Sequence, residues 1–455
     1  MTKAATHAPL SLGRTLTFSA TSLPVAALVL ALTVHLPPYF AASIGVPLAT
    51  VGAIFGLCRT IDIPVEPMLG LAMDRTRTRW GRFRLWTLIG APLMLLGLYM
   101  LTNARQGVGE VYLIGWLLVM YLGLSILLLS HTAWAATLAT TYNARARIFG
   151  IMGGVGVLGA LGVLAIPIIM ENNGFSDAQG VRGMVWYVIA LIPVCIGLVV
   201  WRTPETIAPE APGQKFRLRD YLDLIAHGSM ARILIADLCL ALGPGWMAAL
   251  FLFFSRDRMG FTTGQANLLL AVYILAGLFG APATGWIATR IGKHRAAMLS
   301  SAVYSLSLVS LLWLPKASLG PSALAYFASG FVAAGFGALI RAMVADVADD
   351  IRLTQGKERG GLLYSLIAST NKVAVAASVI ITYPLLGRIG YDPKLGHANS
   401  ADAIQGLTAA YLIGPIAFLA LGAFCMVGYK LTAEKAAETR RLLEARDAEL
   451  AAAGG

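Results

Sequence analysis

Three ionisable residues fall within eight positions of an apolar stretch, in the run Arg59-Thr-Ile-Asp62-Ile-Pro64-Val-Glu66-Pro67. On a helix Asp62 and Glu66 are spaced i,i+4 and share a face. Arg59 sits one turn before Asp62, close enough to pair with it. Pro64 and Pro67 have no N–H, so the carbonyls of Thr60 and Ile63 lose their helical partners and the helix is expected to kink. Two carboxylates beside freed carbonyls make an oxygen-rich pocket, suited to a hard cation or a titrating proton. Within a bilayer each such charge, unpaired, costs about 2.5–3.5 kcal/mol, so partners are required. The plainer alternative, an Arg59–Asp62 bridge with Glu66 at the water boundary, leaves Glu66 unexplained.

A second set lies late in the chain. Lys372, with Asn371 beside it, sits about twelve residues inside another apolar run, too deep to snorkel easily. A lysine there calls for a carboxylate, and Asp62 and Glu66 are the natural candidates. Arg341 lies near the middle of a further run and is expected to face a watery cavity or to pair with Asp346. His131, Thr132 and Trp134 form a polar and aromatic patch in a fourth run. Trp134 is placed either to stack on a solute ring or to fill core, His131 either to bind solute or to be a satisfied core histidine, and His35 is read as core.

Enzyme constellations are missing: the chain has no His-Glu-x-x-His, no Gly-x-Ser-x-Gly and no phosphate-cradling Gly-x-x-x-x-Gly-Lys, so it is not read as an enzyme and no cofactor is expected. Its four cysteines, Cys58, Cys195, Cys239 and Cys425, lie in apolar segments without metal spacing and read as small buried hydrophobes.

The elements that carry these residues are membrane spans. Of 455 residues, 57% are hydrophobic and 13% charged, against about a quarter charged in soluble domains. Runs long enough to cross a bilayer, about 20 residues each, are predicted over 15–42, 47–71, 85–104, 110–140, 147–170, 183–201, 231–255, 263–289, 295–315, 321–349, 360–387 and 404–431. The fold class is therefore an all-α membrane protein of twelve transmembrane helices. The first dozen residues are polar and no small-residue cleavage site follows, so the first span is expected to be retained. A Pro-rich linker and an interfacial helix over 216–225 separate two six-helix halves, 1–201 and 231–431, with 202–230 between them and a charged tail helix over 432–455.

The net charge of +12 follows this topology. With the N-terminus inside, the inner loops carry Arg75, Arg79, Arg82, Arg84, Arg145, Arg147, Lys215, Arg290, Lys293 and Arg359, whereas outer loops are poorer in Lys and Arg. Both termini are thus expected in the cytoplasm of a cell whose inner membrane holds the chain, and no nucleic-acid partner is implied. The Gly70…Asp74-Arg75 pattern after the second span recurs as Gly285…Thr289-Arg290 after the eighth, which suits two parallel repeats. The loop set Asp74, Arg75, Arg79, Arg82 and Arg84, with Asp346 and Arg359, is read as a cytoplasmic gate or, equally, as topology signalling alone.

The string Arg59…Asp62…Glu66-Pro67-x-x-Gly70-x-x-x-Asp74-Arg75, continued by Arg79-Trp80-Gly81-Arg82-Phe83-Arg84, resembles the signature of the glycoside–pentoside–hexuronide:cation symporters of the major facilitator superfamily. The stretch Asp346…Asp349-Asp350…Arg359…Tyr364-Ser365 followed by Lys372 is similar to the same family. The resemblance implies the major facilitator fold, a coupling sodium ion or proton at Asp62 and Glu66, Lys372 beside them, a small-molecule substrate and a monomer. At melibiose permease-type sugar positions this chain has Ala26, Ser130 and about Val155 in place of charged residues. The cavity is therefore expected to be largely apolar, with His131, Thr132, Trp134, Asn371, Lys372 and Arg341 as its polar contacts. Such a lining suits a glycoside or an amphiphile such as a lysolipid; a membrane sensor or scaffold that does not transport is the rival reading.

Overall fold

In the computed structural model, described over residues 11–76, 78–139, 142–205, 225, 228–356, 360–429 and 431–453, every long element is helical. Twelve helices are long and apolar enough to cross a membrane. They are α1 (Leu12–Ile44), α2 (Leu48–Arg75), α3 (Phe83–Thr102), α4 (Glu110–Leu138), α5 (Tyr142–Asn172), α6 (Asp177–Arg202), α7 (Gly228–Phe253), α8 (Thr263–Ile291), α9 (Lys293–Ser310), α10 (Leu319–Gln355), α11 (Gly360–Arg388) and α12 (Ala401–Cys425). A further helix, α13 (Ala433–Ala453), follows. The interfacial helix expected over 216–225 falls almost wholly outside the described residues, as does Arg359.

The chain clusters into two units. Unit 1 holds α1–α6 together with the segment Thr263–Leu268; unit 2 holds the remainder of α7–α13. The boundary thus differs from the expected division in that the first residues of α8 group with unit 1. In unit 1, α3 packs most extensively on α4, and α4 also meets α2. In unit 2, α7 packs on α11 and α12, α9 on α10, and α13 on α10.

Local sequence accounts for the irregular stretches. Pro37 and Pro38 supply no N–H, and just before them the Leu36 N–H reaches back five residues to Ala31, giving a π-helical turn over Ala31–His35. His35, buried on this turn, puts Nε2 2.7 Å from Oδ1 of Asn267 within unit 1; it is a core histidine as the sequence suggested, but only half satisfied, because its Nδ1 is buried without a hydrogen-bond partner among the described residues. Helix α2, by contrast, runs on through Pro64 and Pro67 as one 28-residue helix, so the two prolines do not end it. Helix α10 extends past the expected end at 349 to Gln355, where Gly356 stops it in a left-handed conformation at φ 67°.

Small residues set the spacing of the helices. A Cβ on Gly97 of α3 would lie 2.6 Å from Cβ of Met120, and one on Gly123 of α4 would strike the backbone of Met94. The α3–α4 contact exists because neither position has a side chain. The same logic governs α1 and α5, where a Cβ on Gly159 would lie 2.2 Å from the Leu23 carbonyl oxygen, while Gly156 sits in ordinary contact with Ala26. Replacing Gly123 by Val should therefore lower stability by about 1–3 kcal/mol through overpacking. Gly115→Val on the same helix, where nothing lies within 4 Å of a new Cβ, should be nearly silent. Thermal unfolding in detergent reads both, and equal midpoints for the two variants would refute this account of the contact.

Candidate functional site

Helix α2 presents its charges to α4. The Arg59 guanidinium carbon lies 4.5 Å from the centre of the Tyr121 ring, a cation–π contact. One turn on, Oγ of Ser125 donates to Oδ1 of Asp62 at 2.6 Å, a short, charge-assisted bond. Asp62, Tyr121 and Ser125 are all buried, and Glu66 is half-buried one further turn along. Two carboxylates and a serine oxygen thus come from two neighbouring helices. Among the described residues no three His, Cys, Asp or Glu side chains converge. A cation here would accordingly rest on two carboxylates plus neutral oxygens, a set suited to a hard monovalent ion or a proton rather than to a transition metal.

Unit 2 contains a second intramembrane acid that the sequence reading passed over. Asp237 of α7 is buried; Thr370 of α11 donates its hydroxyl to Oδ2, and Nδ2 of Asn371 lies 3.1 Å from Oδ2 and 3.4 Å from Oδ1. Arg341 of α10 is close enough to act on Asp237 electrostatically, and its carbonyl accepts from the Tyr364 hydroxyl at 3.3 Å. Asn371 is therefore engaged with Asp237, beside the half-buried Lys372.

The patch on α4 is core, which corrects the expectation for His131 and Trp134. Nε2 of His131 lies 2.9 Å from the Phe18 carbonyl, and its ring packs on Phe18 at 4.5 Å. Trp134 is fully buried, edge-on to Phe18 at 5.6 Å, and donates Nε1–H to the Pro204 carbonyl at 3.3 Å. Phe83, Ile148, Cys195 and Val199 complete that cluster. Thr132 is exposed. Ser130 faces α3, bonded to Thr87 at 3.1 Å, and Ala26 lies against α5, so these two uncharged residues serve helix contacts.

The expected gate residues also have local partners. The Glu205 carboxylate accepts from the backbone N–H groups of Arg82, Phe83 and Arg84 at 2.6, 2.7 and 3.0 Å, closing the N-terminus of α3. Arg84 donates to the Thr203 carbonyl at 2.7 Å, and Arg82 lies over the Phe83 ring at 4.3 Å. Arg75 and Arg79 are exposed; Asp74 and Arg75 are the last two residues of α2. Asp346 does not pair with Arg341 but with Lys293 of α9, at 2.6 Å.

Comparison with known proteins gives a consistent picture. A family described as MFS/sugar transport protein matches residues 17–433. The isoprimeverose transporter of Lactiplantibacillus pentosus is 24% identical over 408 residues, covering 85% of this chain and 82% of that protein. The glucuronide carrier protein homolog of Escherichia coli (strain K12) is 25% identical over 407 residues, covering 87% and 88%. Among solved structures, the nucleoside transporter NupG (D323A mutant) superposes with a TM-score of 0.73 at 13% identity, covering 91% of this chain and 99% of that one. The likeness in fold extends over nearly the whole chain.

Truncating a fully buried Trp should leave a large cavity. Trp134→Ala should lower stability by about 3–5 kcal/mol, with much of that restored in Trp134→Phe. Chemical unfolding in detergent measures both. A loss well under 1 kcal/mol in Trp134→Ala would return the residue to an accessible surface.

Proposed function

The chain belongs to the MFS/sugar transport protein family, and from that membership we propose that it is a cation-coupled symporter of glycosides working by alternating access. It is a multi-pass membrane transporter rather than an enzyme. Its fold is that of the major facilitator transporters. With twelve spans among the described residues both termini would lie on one side, and the bias of Arg and Lys toward the loops on that side supports the cytoplasmic face of the inner membrane.

One observation carries the coupling assignment: Asp62, buried in a span, has its carboxylate oriented by Ser125, with Glu66 on the same face of α2. A charged group this expensive in hydrocarbon is fixed in position by a neighbouring helix, which is what a reusable ion site requires. Sodium and the proton are the two candidate ions. Arg59, held over Tyr121, supports the site from one turn above.

A glycoside is favoured over an amphiphile. The two relatives described above are named for isoprimeverose and a glucuronide. The apolar lining that had pointed to a lysolipid loses its basis, because Ala26 and Ser130 answer to helix packing and because His131 and Trp134 are core. Arg341, Thr132 and Asn371 remain the polar candidates for the sugar. Nothing favours a non-transporting scaffold, which would have no use for a buried carboxylate set.

An ion that binds only the folded protein stabilises it by linkage, about 2.7 kcal/mol at a hundred times its Kd. If sodium couples, adding it to the purified protein should raise the unfolding midpoint, and both Asp62→Asn and Glu66→Gln should abolish the rise. If protons couple, the midpoint should follow pH instead and lose that dependence in the same variants. A sodium or pH response that survives in Asp62→Asn, or a wild type indifferent to both, would exclude this site.

A further inference from the structure

We propose that the Gly228 end of α7 carries a binding site for a polyol phosphate, walled in part by the start of α13. A cavity of about 540 Å³ lies there, lined by Gly228, Ser229, Arg232, Asp350, Tyr429 and Lys435 among others. All six belong to unit 2. The volume is within the range of small-molecule pockets, about 300–1,000 Å³.

The decisive group is Tyr429. It is 4% exposed, it lines the cavity, and its hydroxyl has no hydrogen-bond partner among the described residues. Buried hydroxyls are normally partnered, so this one points to a polar occupant. Burial, with the carboxylates of Asp346 and Asp350 near it, pushes its ionisation well above the usual phenol range; the group is a neutral hydroxyl able to donate and to accept.

The other lining groups divide by charge and so specify the occupant. Gly228, at the start of the described part of α7, leaves the cavity wall open there, with nothing within 4 Å of the place a Cβ would take. Arg232, one turn in, is braced through Nη1 on the carbonyls of Val427 and Gly428 at 3.1 and 3.2 Å, which leaves the rest of its five-donor fork for a phosphate. Lys435, from the start of α13, adds an ammonium that pairs with Glu438 at 2.9 Å. Asp350 opposes a bare anion. Its carboxylate accepts only from donors, such as the hydroxyls of a polyol, and Ser229 can serve either part. A phosphate carrying free hydroxyls satisfies every group, whereas inorganic phosphate or a neutral sugar satisfies only half of them. Two sources share this chemistry: a soluble sugar phosphate and the phosphatidylglycerol headgroup.

Thermal unfolding of the purified full chain separates them. One arm adds glucose 6-phosphate in detergent, with glucose and inorganic phosphate as partial probes; the other compares nanodiscs of phosphatidylglycerol with nanodiscs of phosphatidylcholine. A rise in the first arm assigns the soluble ligand, a rise in the second assigns the headgroup, and rises in both assign the shared chemistry. Either rise should weaken about tenfold in apparent affinity in Arg232→Gln and Lys435→Gln, as expected for loss of a charge-assisted bond. Asp350→Asn should narrow the preference for glucose 6-phosphate over inorganic phosphate. Lys435 is fully exposed, so its variant keeps the fold. No rise in either arm, or a rise unchanged in both Arg232→Gln and Lys435→Gln, overturns the site.

Discussion

A charge or a polar hydrogen held inside hydrocarbon must be met by another group of the protein, because no water is there to meet it. This requirement organises the interior of both units. Asp62 is met by Ser125 and Arg59 by the face of Tyr121. Asp237 takes donors from Thr370 and Asn371. Each pairing joins two helices at one height, so the polar contacts align spans that are otherwise apolar on every side.

Small residues make those pairings geometrically available. Helix α4 approaches α3 through Gly123, and α5 approaches α1 at Ala26 and Gly156. Close approach of this kind holds helices in lipid, where apolar side chains gain little from meeting one another. The same close packing accounts for the surroundings of Ser130 and Ala26. Ser130 bonds to Thr87 across the α3–α4 contact, and Ala26 faces α5; both are occupied by neighbouring helices.

The sequence made the spans and the shared face of Asp62 and Glu66 legible, because hydropathy and helical spacing are local properties. The partners were not legible. Helix α4 is apolar around its whole circumference, so nothing in its pattern says that Tyr121 and Ser125, rather than another face, meet α2. Trp134 looked central to its span, yet it packs against Phe18 and reaches the carbonyl of Pro204, a contact set by the chain beyond α6. Asp237 could have been found. It stands in the apolar run of α7, buried well inside that helix, and carries the same penalty as Asp62. The charged tail read as a solvated helix. In the structure Arg440 lies 3.6 Å from Asp349, and Arg446 donates to the Arg352 carbonyl at 3.2 Å, partners that exist only because α10 continues to Gln355.

The central claim is that movement of a glycoside is driven by an ion held at Asp62 and Glu66. Its most direct measurement is glycoside accumulation in proteoliposomes under an imposed sodium or proton gradient, in the wild type and in Asp62→Asn. The account expects uphill accumulation under one of the two gradients, collapse of that accumulation when the gradient is dissipated, and none in Asp62→Asn. Uptake that only equilibrates under either gradient, or uphill accumulation that persists in Asp62→Asn, would contradict it.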